Sequence, residues 1–118
     1  MKRHAWKDIP KEQLAPLVAR QVLHAERITI ARLFLRKDSV VPRHSHPNEQ
    51  ITMLESGKLK FIFDDGEHIL EGGQMMQIRG EEPHAVVAME DSVATDLFAP
   101  VREDWVRGDD AYLRGGSK

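Results

Sequence analysis

The sequence predicts an all-β protein, folded as a barrel or a sandwich, and two features of the chain support this. Short apolar or β-branched stretches recur about every 8–12 residues with turn residues between them, a pattern typical of β-barrels and β-sandwiches. No long segment with a 3.6-residue apolar period interrupts these stretches, which disfavours an alternation of strands and helices. The length of 118 residues supports one domain spanning residues 1–118.

Composition excludes several classes of protein. Lys and Arg number 17 against 19 Asp and Glu, so no basic excess favours a nucleic-acid partner. The longest apolar runs are about five residues, far short of a membrane span, and no apolar stretch follows the basic start of the chain. We therefore expect a soluble, cytoplasmic protein without a membrane partner. With no cysteine, disulfides and thiolate chemistry are excluded, which leaves six histidines and the carboxylates.

Nine short segments are predicted as strands, each bounded by turn residues. Asp64–Gly66 is a strong hairpin signal between two of them. In the segment before this hairpin, alternation places Leu59, Phe61 and Phe63 on one face, and we assign them to the core. The predicted strands are 20–24, 28–35, 40–42, 51–54, 58–63, 67–70, 75–78, 85–89 and 93–98.

The two ends of the chain differ from the middle. Residues 8–18 predict a short helix that has Asp8 as its N-cap and that Pro16 prevents from running far. Residues 101–107 predict one or two helical turns. We expect residues 115–118 to form a frayed tail.

Histidine spacing suggests a metal site. His44 and His46 are two residues apart, so on an extended segment both rings project from the same face. A solvated surface pair is the alternative interpretation. Gln50 follows a turn and begins an apolar strand, where it could face the same cavity as the pair, and His84 begins another strand and could complete a set of ligands.

Two stretches of the chain resemble the cupin motifs. HSHPNEQITMLESG (residues 44–57) resembles the first motif, G(x)5HxH(x)3-4E(x)6G, although its opening glycine is absent. GGQMMQIRGEEPH (residues 72–84) resembles the second, G(x)5PxG(x)2H(x)3N, with Arg79 near the expected proline and Ala88 in place of the asparagine. This resemblance covers about residues 28–100. It implies a cupin double-stranded β-helix barrel of the jelly-roll type, with short N- and C-terminal extensions.

The resemblance also implies a metal held by three histidines and one further side chain. Gln50 stands at the usual glutamate position of the motif, and Glu49 lies one residue earlier. Alternation along the strand points Gln50 inward and Glu49 outward, which favours Gln50 as the fourth ligand beside His44, His46 and His84. A neutral amide leaves the ion its full positive charge. We expect one divalent transition metal per chain, with Ni, Zn, Fe and Mn all compatible.

A further stretch, residues 91–105, resembles the C-terminal strand and tail of small single-domain cupins of the KdgF pectin-degradation group. In that group the ligands are three His and one Gln, and an Asp-x-Phe pair lines the pocket. Asp96 and Phe98 would be that pair, with Arg102 four residues further. A solvent-facing Asp96 and a purely structural Phe98 are the alternatives. Among apolar neighbours, the pKa of Asp96 would be raised unless the metal or Arg102 opposes this.

These resemblances imply a metal-dependent enzyme that acts on a small sugar acid or keto acid. The implied reaction converts a 4,5-unsaturated uronate to its linear keto form, with Asp96 moving a proton and with Phe98 and Arg102 in the catalytic set. A cupin dioxygenase and a non-catalytic metal-binding or ligand-binding module are the alternatives, because one fold hosts many activities. We also expect a homodimer, since residues 20–30 predict strands outside the core that would leave an open edge.

Overall fold

The computed structural model describes residues 1–115, most of which lie in ten β-strands. The remaining elements are two 3₁₀ turns, Trp6–Asp8 and Ala111–Arg114, and one short helix, α1 (Glu103–Val106). Within this described part of the chain, no helix is both long and apolar enough to cross a membrane. The strands are β1 (Glu12–Ala15), β2 (Val18–His24), β3 (Thr29–Leu35), β4 (Val40–His44), β5 (Glu49–Ser56), β6 (Lys58–Phe63), β7 (Gly66–Glu71), β8 (Met75–Ile78), β9 (His84–Ala88) and β10 (Ser92–Ala99).

The strands form two antiparallel sheets that enclose the core. One sheet has six strands in the order β1-β2-β3-β10-β5-β8, and the other has four in the order β4-β9-β6-β7. Alternate residues of β3 and β10 are buried, so each strand turns one face toward the barrel interior. This arrangement confirms the predicted all-β jelly-roll barrel.

Strand β6 shows how the apolar pattern builds the core. Leu59 and Phe61 are each 1% exposed and belong to the main cluster of buried side chains, and Phe63 packs against that cluster. Burying a side chain of this size contributes about 1.5–3 kcal/mol. The core assignment made for these three residues is therefore confirmed.

Gly57 forms the turn between β5 and β6. Its φ of 98° lies in the left-handed region, and a Cβ atom there would collide with Ser92. Only glycine satisfies both conditions without strain. This is the physical reason for a glycine at the end of the first motif.

The prediction of a helix over residues 8–18 is wrong. A 3₁₀ turn ends at Asp8, and β1 pairs with β2 instead. A short helix interrupted by proline is unstable alone, whereas the strand gains sheet hydrogen bonds and buries Leu14. The helical turn predicted within residues 101–107 is confirmed as α1. Of the predicted tail, residues 116–118 lie outside the described residues.

The C-terminal segment packs against the barrel and contributes to its core. Trp105 from α1 and Leu113 from the second 3₁₀ turn belong to the buried apolar cluster. Between them, the buried carboxylate of Asp110 accepts a hydrogen bond of 2.6 Å from Nη2 of Arg20, which is also buried. The sequence predicted only a short extension here, but the segment forms part of the wall around the barrel interior.

Candidate metal centre and its cavity

Strands β4 and β9, which are neighbours in the four-stranded sheet, bring the predicted histidines together. His44 ends β4 and lies opposite His84, the first residue of β9, while His46 follows in the next loop. The ring centroids of His44 and His84 are 4.4 Å apart, and His46 lies 5.7 Å and 5.5 Å from them. One ring nitrogen from each histidine lies within 4.8 Å of the others, close enough for the three to share one metal ion.

Backbone carbonyl groups orient two of these rings. Nδ1 of His44 donates to the carbonyl oxygen of Pro42, and Nδ1 of His84 donates to that of Glu82, each at 2.8 Å. Such a bond places the ring proton on Nδ1 and leaves Nε2 with a free electron pair. Histidines that ligate metals characteristically have their second nitrogen held in this way.

Burial keeps the three imidazoles neutral. It lowers the pKa of His44 and of His46 to about 4 and also lowers the pKa of His84. Desolvation disfavours the charged ring in each case. At neutral pH all three are therefore in the unprotonated form that a metal ion requires.

Gln50 joins the histidines inside the barrel. Its Oε1 accepts a hydrogen bond of 3.0 Å from Nε2 of His46, and its Nε2 donates to the hydroxyl of Thr52 at 2.9 Å. Two atoms that bind the same ion lie roughly 3–4 Å apart, because each bond to the metal is about 2.0–2.2 Å long. The distance between Nε2 of His46 and Oε1 of Gln50 is therefore compatible with both atoms binding one ion. Glu49 is exposed and faces Gln77 on the outside. The predicted inward orientation of Gln50 is confirmed.

The donor set fits a divalent cation. It combines three neutral imidazoles with one amide oxygen, a set compatible with first-row transition metals. Within residues 1–115, Nδ1 of His46 is buried and has no hydrogen-bond partner. An ion held by Nε2 of His46 and Oε1 of Gln50 would replace the hydrogen bond between these two atoms and would leave the ring proton on Nδ1.

Gly80 supports the loop that carries His46. The backbone amide of Glu81 donates to the carbonyl oxygen of His46 at 2.7 Å. A Cβ atom on Gly80 would collide with the carbonyl oxygen of Pro47, so only glycine allows the two loops to approach this closely. The second motif glycine thus positions a residue of the first motif.

A small cavity of about 40 Å³ adjoins the histidines. At roughly 10–15 Å³ per water position, it has room for about three water molecules. Its polar walls come from both sheets and from the C-terminal segment, while the rest is aliphatic and aromatic. The polar lining residues are His44, Gln50, Thr52, His84, Asp96, Arg102 and Tyr112.

Asp96 lies in the wall of this cavity, in the middle of β10 and opposite Thr52 of β5. It is 5% exposed, and its Oδ1 has no hydrogen-bond partner among the described residues. Burial raises the pKa of the Asp96 carboxyl to about 6, although Thr52 and Arg102 act to lower it. The alternative of a solvent-facing Asp96 is therefore wrong.

Phe98 and Arg102 also reach the cavity, but Arg102 is already engaged. The Phe98 ring is edge-on to His46 with centroids 5.6 Å apart. The Arg102 guanidinium lies 4.6 Å from the Phe98 centroid and donates to both carboxylate oxygens of Asp104, at 2.9 and 2.8 Å. The predicted residues are thus brought together around one cavity, and Arg102 enters it as one half of an ion pair.

Sequence reasoning missed Tyr112. Its ring stacks on His44 with centroids 4.5 Å apart, and its hydroxyl oxygen accepts hydrogen bonds from Arg102 and from Trp105. Tyr112 is the single tyrosine of the chain, and nothing in its local sequence resembles a motif. Only the packing of the C-terminal segment brings it to the histidines.

Comparisons with known proteins agree with this architecture. The pectin degradation protein KdgF of Dickeya dadantii (strain 3937) is 26% identical over 102 residues, which cover 84% of this chain and 93% of that protein. Among solved structures, an RmlC-like cupin from Shewanella frigidimarina NCIMB 400 has a TM-score of 0.82 at 19% identity, covering 89% of this chain and 96% of that one. KdgF from Halomonas sp. has a TM-score of 0.81 at 21% identity, covering 88% and 99%.

More than half of the chain matches the model of one protein family. The model of the Cupin_2 family, described as the cupin domain, matches residues 33–99. This range begins within β3, ends with β10 and includes every histidine of the candidate centre. The chain belongs to the cupin family.

Proposed function

We propose that this cupin binds one divalent transition metal and converts a 4,5-unsaturated uronate to its linear keto form. The ion would be held by His44, His46, Gln50 and His84. The observation that carries the proposal is Asp96, a buried carboxylate with an unpaired oxygen in the same small cavity as these donors. The similarity to the pectin degradation protein KdgF supports the substrate class.

The reaction requires a group of the protein that accepts one proton from the substrate and returns a proton to another atom of the substrate. Asp96 in its ionised form accepts the proton of the C1 hydroxyl as the bond between C1 and the ring oxygen breaks. The electron pair of that bond moves through the ring oxygen and the C4–C5 double bond, and C4 takes a proton from Asp96. The product is an isomer of the substrate, with an aldehyde at C1 and a ketone at C5. A carboxyl with a pKa near 6 is suited to both transfers near neutral pH.

Two other side chains complete the proposed site. Arg102 supplies a fixed positive charge at the cavity, suited to the carboxylate of a uronate. Phe98 forms an apolar wall that excludes water beside Asp96. A bound divalent ion would add positive charge that stabilises a developing negative charge on substrate oxygen.

The test of this function is a direct assay. The purified protein, loaded in turn with Ni²⁺, Zn²⁺, Mn²⁺ or Fe²⁺, is mixed with 4,5-unsaturated galacturonate, and loss of the conjugated double bond is followed by ultraviolet absorbance. We expect faster loss than in buffer with the same metal. Oxygen uptake with Fe²⁺ would instead support a dioxygenase, and binding without turnover would support a non-catalytic module.

Gln50, and not Glu49, is expected to be the fourth ligand. Gln50→Ala should lower metal content, because it removes a donor atom that lies 3.0 Å from Nε2 of His46. Glu49→Ala is the matched control, since that side chain is exposed and faces outward. Gln50→Glu should keep the metal but add a negative charge, which weakens the ion as a Lewis acid and shifts any pH–rate profile. Elemental analysis decides, and metal loss in Glu49→Ala alone would reverse the assignment.

The open edge expected at residues 20–30 is not present, because β2 and β3 are each paired on both sides within the six-stranded sheet. We propose instead that the protein is a homodimer through the outer face of this sheet. Ile30, Leu97 and Ile51 lie side by side across β3, β10 and β5 and face away from the barrel interior. All three are only half-buried in the single chain, and a second copy would cover such an apolar face.

Light scattering at micromolar concentration should therefore give the mass of a dimer for the parent protein. Leu97→Arg, at the centre of this face, should give a monomer because two charged side chains would meet across the two-fold axis. Ile69→Arg is the matched control, since Ile69 is 46% exposed on the other sheet. A monomeric parent would contradict the proposal.

A further inference from the structure

Tyr112 separates the inner cavity from an outer groove. The inner cavity measures about 40 Å³, and the groove outside it measures about 410 Å³. Among residues 1–115, only His44 and Tyr112 line both spaces. A pyranose ring with its substituents does not fit into a space of this size, so a sugar-sized molecule finds no room beside Asp96 in this form.

The Tyr112 side chain is held in place by weak, reversible contacts. Its hydroxyl oxygen accepts hydrogen bonds from Nη2 of Arg102 at 2.8 Å and from Nε1 of Trp105 at 3.1 Å. Its ring stacks on His44. Each such hydrogen bond contributes little net free energy, because water replaces it when it breaks, although the bond from the charged donor contributes somewhat more. A ligand that replaces these contacts can therefore displace the side chain.

The backbone around Tyr112 is anchored much more firmly. Asp110 is bound by Arg20 at 2.6 Å and by Arg114 at 2.9 Å, and its side chain is buried. Leu113 is 4% exposed and belongs to the main apolar cluster. Moving the whole segment would break a buried ion pair and expose the core. Rotation of the Tyr112 side chain alone keeps the ion pair and uncovers only the part of the core against which that ring packs.

We propose that Tyr112 is a side-chain gate that determines which size of carboxylate ligand reaches the site. In the closed form the cavity admits only ligands of a few atoms. When the ring rotates outward, the cavity and the groove join into a space within the roughly 300–1,000 Å³ typical of ligand pockets. The proposal rests on the proposed function for its ligand class, a sugar carboxylate.

Opening the gate also changes Arg102. Nη2 of Arg102 donates both to Asp104 and to Tyr112, and rotation of the ring removes the second of these acceptors. The carboxylate of a larger ligand can then take the place of the phenol oxygen on the guanidinium. A neutral sugar offers no such replacement, so the gate favours acids over neutral sugars of the same size.

Binding of two acids to the full-length protein as purified tests the gate. Formate fits the closed cavity, whereas D-galacturonate requires it to open. We expect Tyr112→Ala to lower the Kd of galacturonate at least ten-fold and to change that of formate less than two-fold, because the cost of opening is removed only for the larger acid. Calorimetry measures both constants.

Fluorescence supplies a second measurement. The chain has two tryptophans, so Trp6→Phe leaves Trp105 as the single emitter beside Tyr112. In that background, saturating galacturonate should raise acrylamide quenching of Trp105 at least two-fold, whereas formate and neutral galactose should not. With Tyr112→Ala added, quenching should be high before any acid is added.

Two variants serve as controls. Tyr112→Phe keeps the ring on His44 but lacks the hydroxyl, so galacturonate should bind with an affinity between those of the parent and Tyr112→Ala. It also provides a measurable gate variant if Tyr112→Ala fails to fold. Asp109→Ala removes an exposed charge in the groove and should change the affinities for both acids by the same factor.

The outcomes separate the gate from the proposed function. Equal galacturonate affinities in the parent and both Tyr112 variants would overturn the gate, as would a Trp105 that stays protected when galacturonate is bound. Absence of binding for galacturonate in every protein would overturn it as well. If the affinities shift as expected but no protein converts the unsaturated uronate, the gate holds and the proposed reaction is wrong.

Discussion

Asp96→Asn should lower turnover of a 4,5-unsaturated uronate by about 10²–10⁴-fold, the usual contribution of general acid–base catalysis. The amide preserves the shape of the side chain but cannot exchange a proton near neutral pH. Metal content should stay constant, because Asp96 is outside the proposed set of ligands. Steady-state kinetics and elemental analysis on the same preparation measure both quantities.

The pH profile distinguishes a proton carrier from a structural carboxylate. Because burial raises the pKa of Asp96 to about 6, its base form is lost as the pH falls through that value. A cation bound nearby would lower this pKa, and the loss would then occur at a lower pH. The parent should therefore show an acid limb in kcat/KM that is absent from Asp96→Asn. Phe98→Ala should keep this limb and chiefly raise KM.

Stability gives an independent control for Asp96→Asn. The folded metal-free protein holds the Asp96 proton more tightly than the unfolded chain does, so its free energy of unfolding falls as the pH rises from about 4 to about 6 and stays at the lower value above that. The asparagine variant avoids this cost and should have an equal or higher Tm at pH 8. If Asp96→Asn turned over substrate at the parent rate, Asp96 would have a structural role and a water molecule would have to carry the proton.

The second large effect is expected for His84→Ala, which should reduce metal content ten-fold or more. His84 is 1% exposed, and its Nδ1–H is fixed on the carbonyl of Glu82, so Nε2 is committed to the centre of the site. Alanine removes this donor without supplying another. Elemental analysis after dialysis gives the stoichiometry, and added metal should raise the Tm of the parent but not that of the variant.

His68→Ala is the matched control for this loss. His68 is exposed on β7 and pairs with Asp65 at the surface, outside the group of three histidines that could share one ion. Its metal content and its metal-dependent Tm should equal those of the parent. One tightly bound ion remaining in His84→Ala would show that the metal is held elsewhere.

Strand pattern and motif spacing were sufficient to predict much of the site. The segments 58–63 and 75–78 coincide with β6 and β8 because their alternation is local and matches the pleat of a sheet. The same alternation correctly oriented Gln50 inward and Glu49 outward. Where the sequence predicted a helix over residues 8–18, pairing with β2 overrode local propensity.

By itself, the sequence determined the β class of the fold and the common face of Ala94, Asp96 and Phe98 on β10, and its cupin motifs predicted the grouping of His44, His46 and His84. Whether that face of β10 points inward was left open. These predictions follow from periods of two residues and from short motifs, which are properties of neighbouring residues. Only the tertiary structure decided how the site is closed. Tyr112 reaches His44 because Asp110 and Leu113 anchor its segment to the barrel through contacts with residues far away in the chain, and no local pattern encodes such contacts.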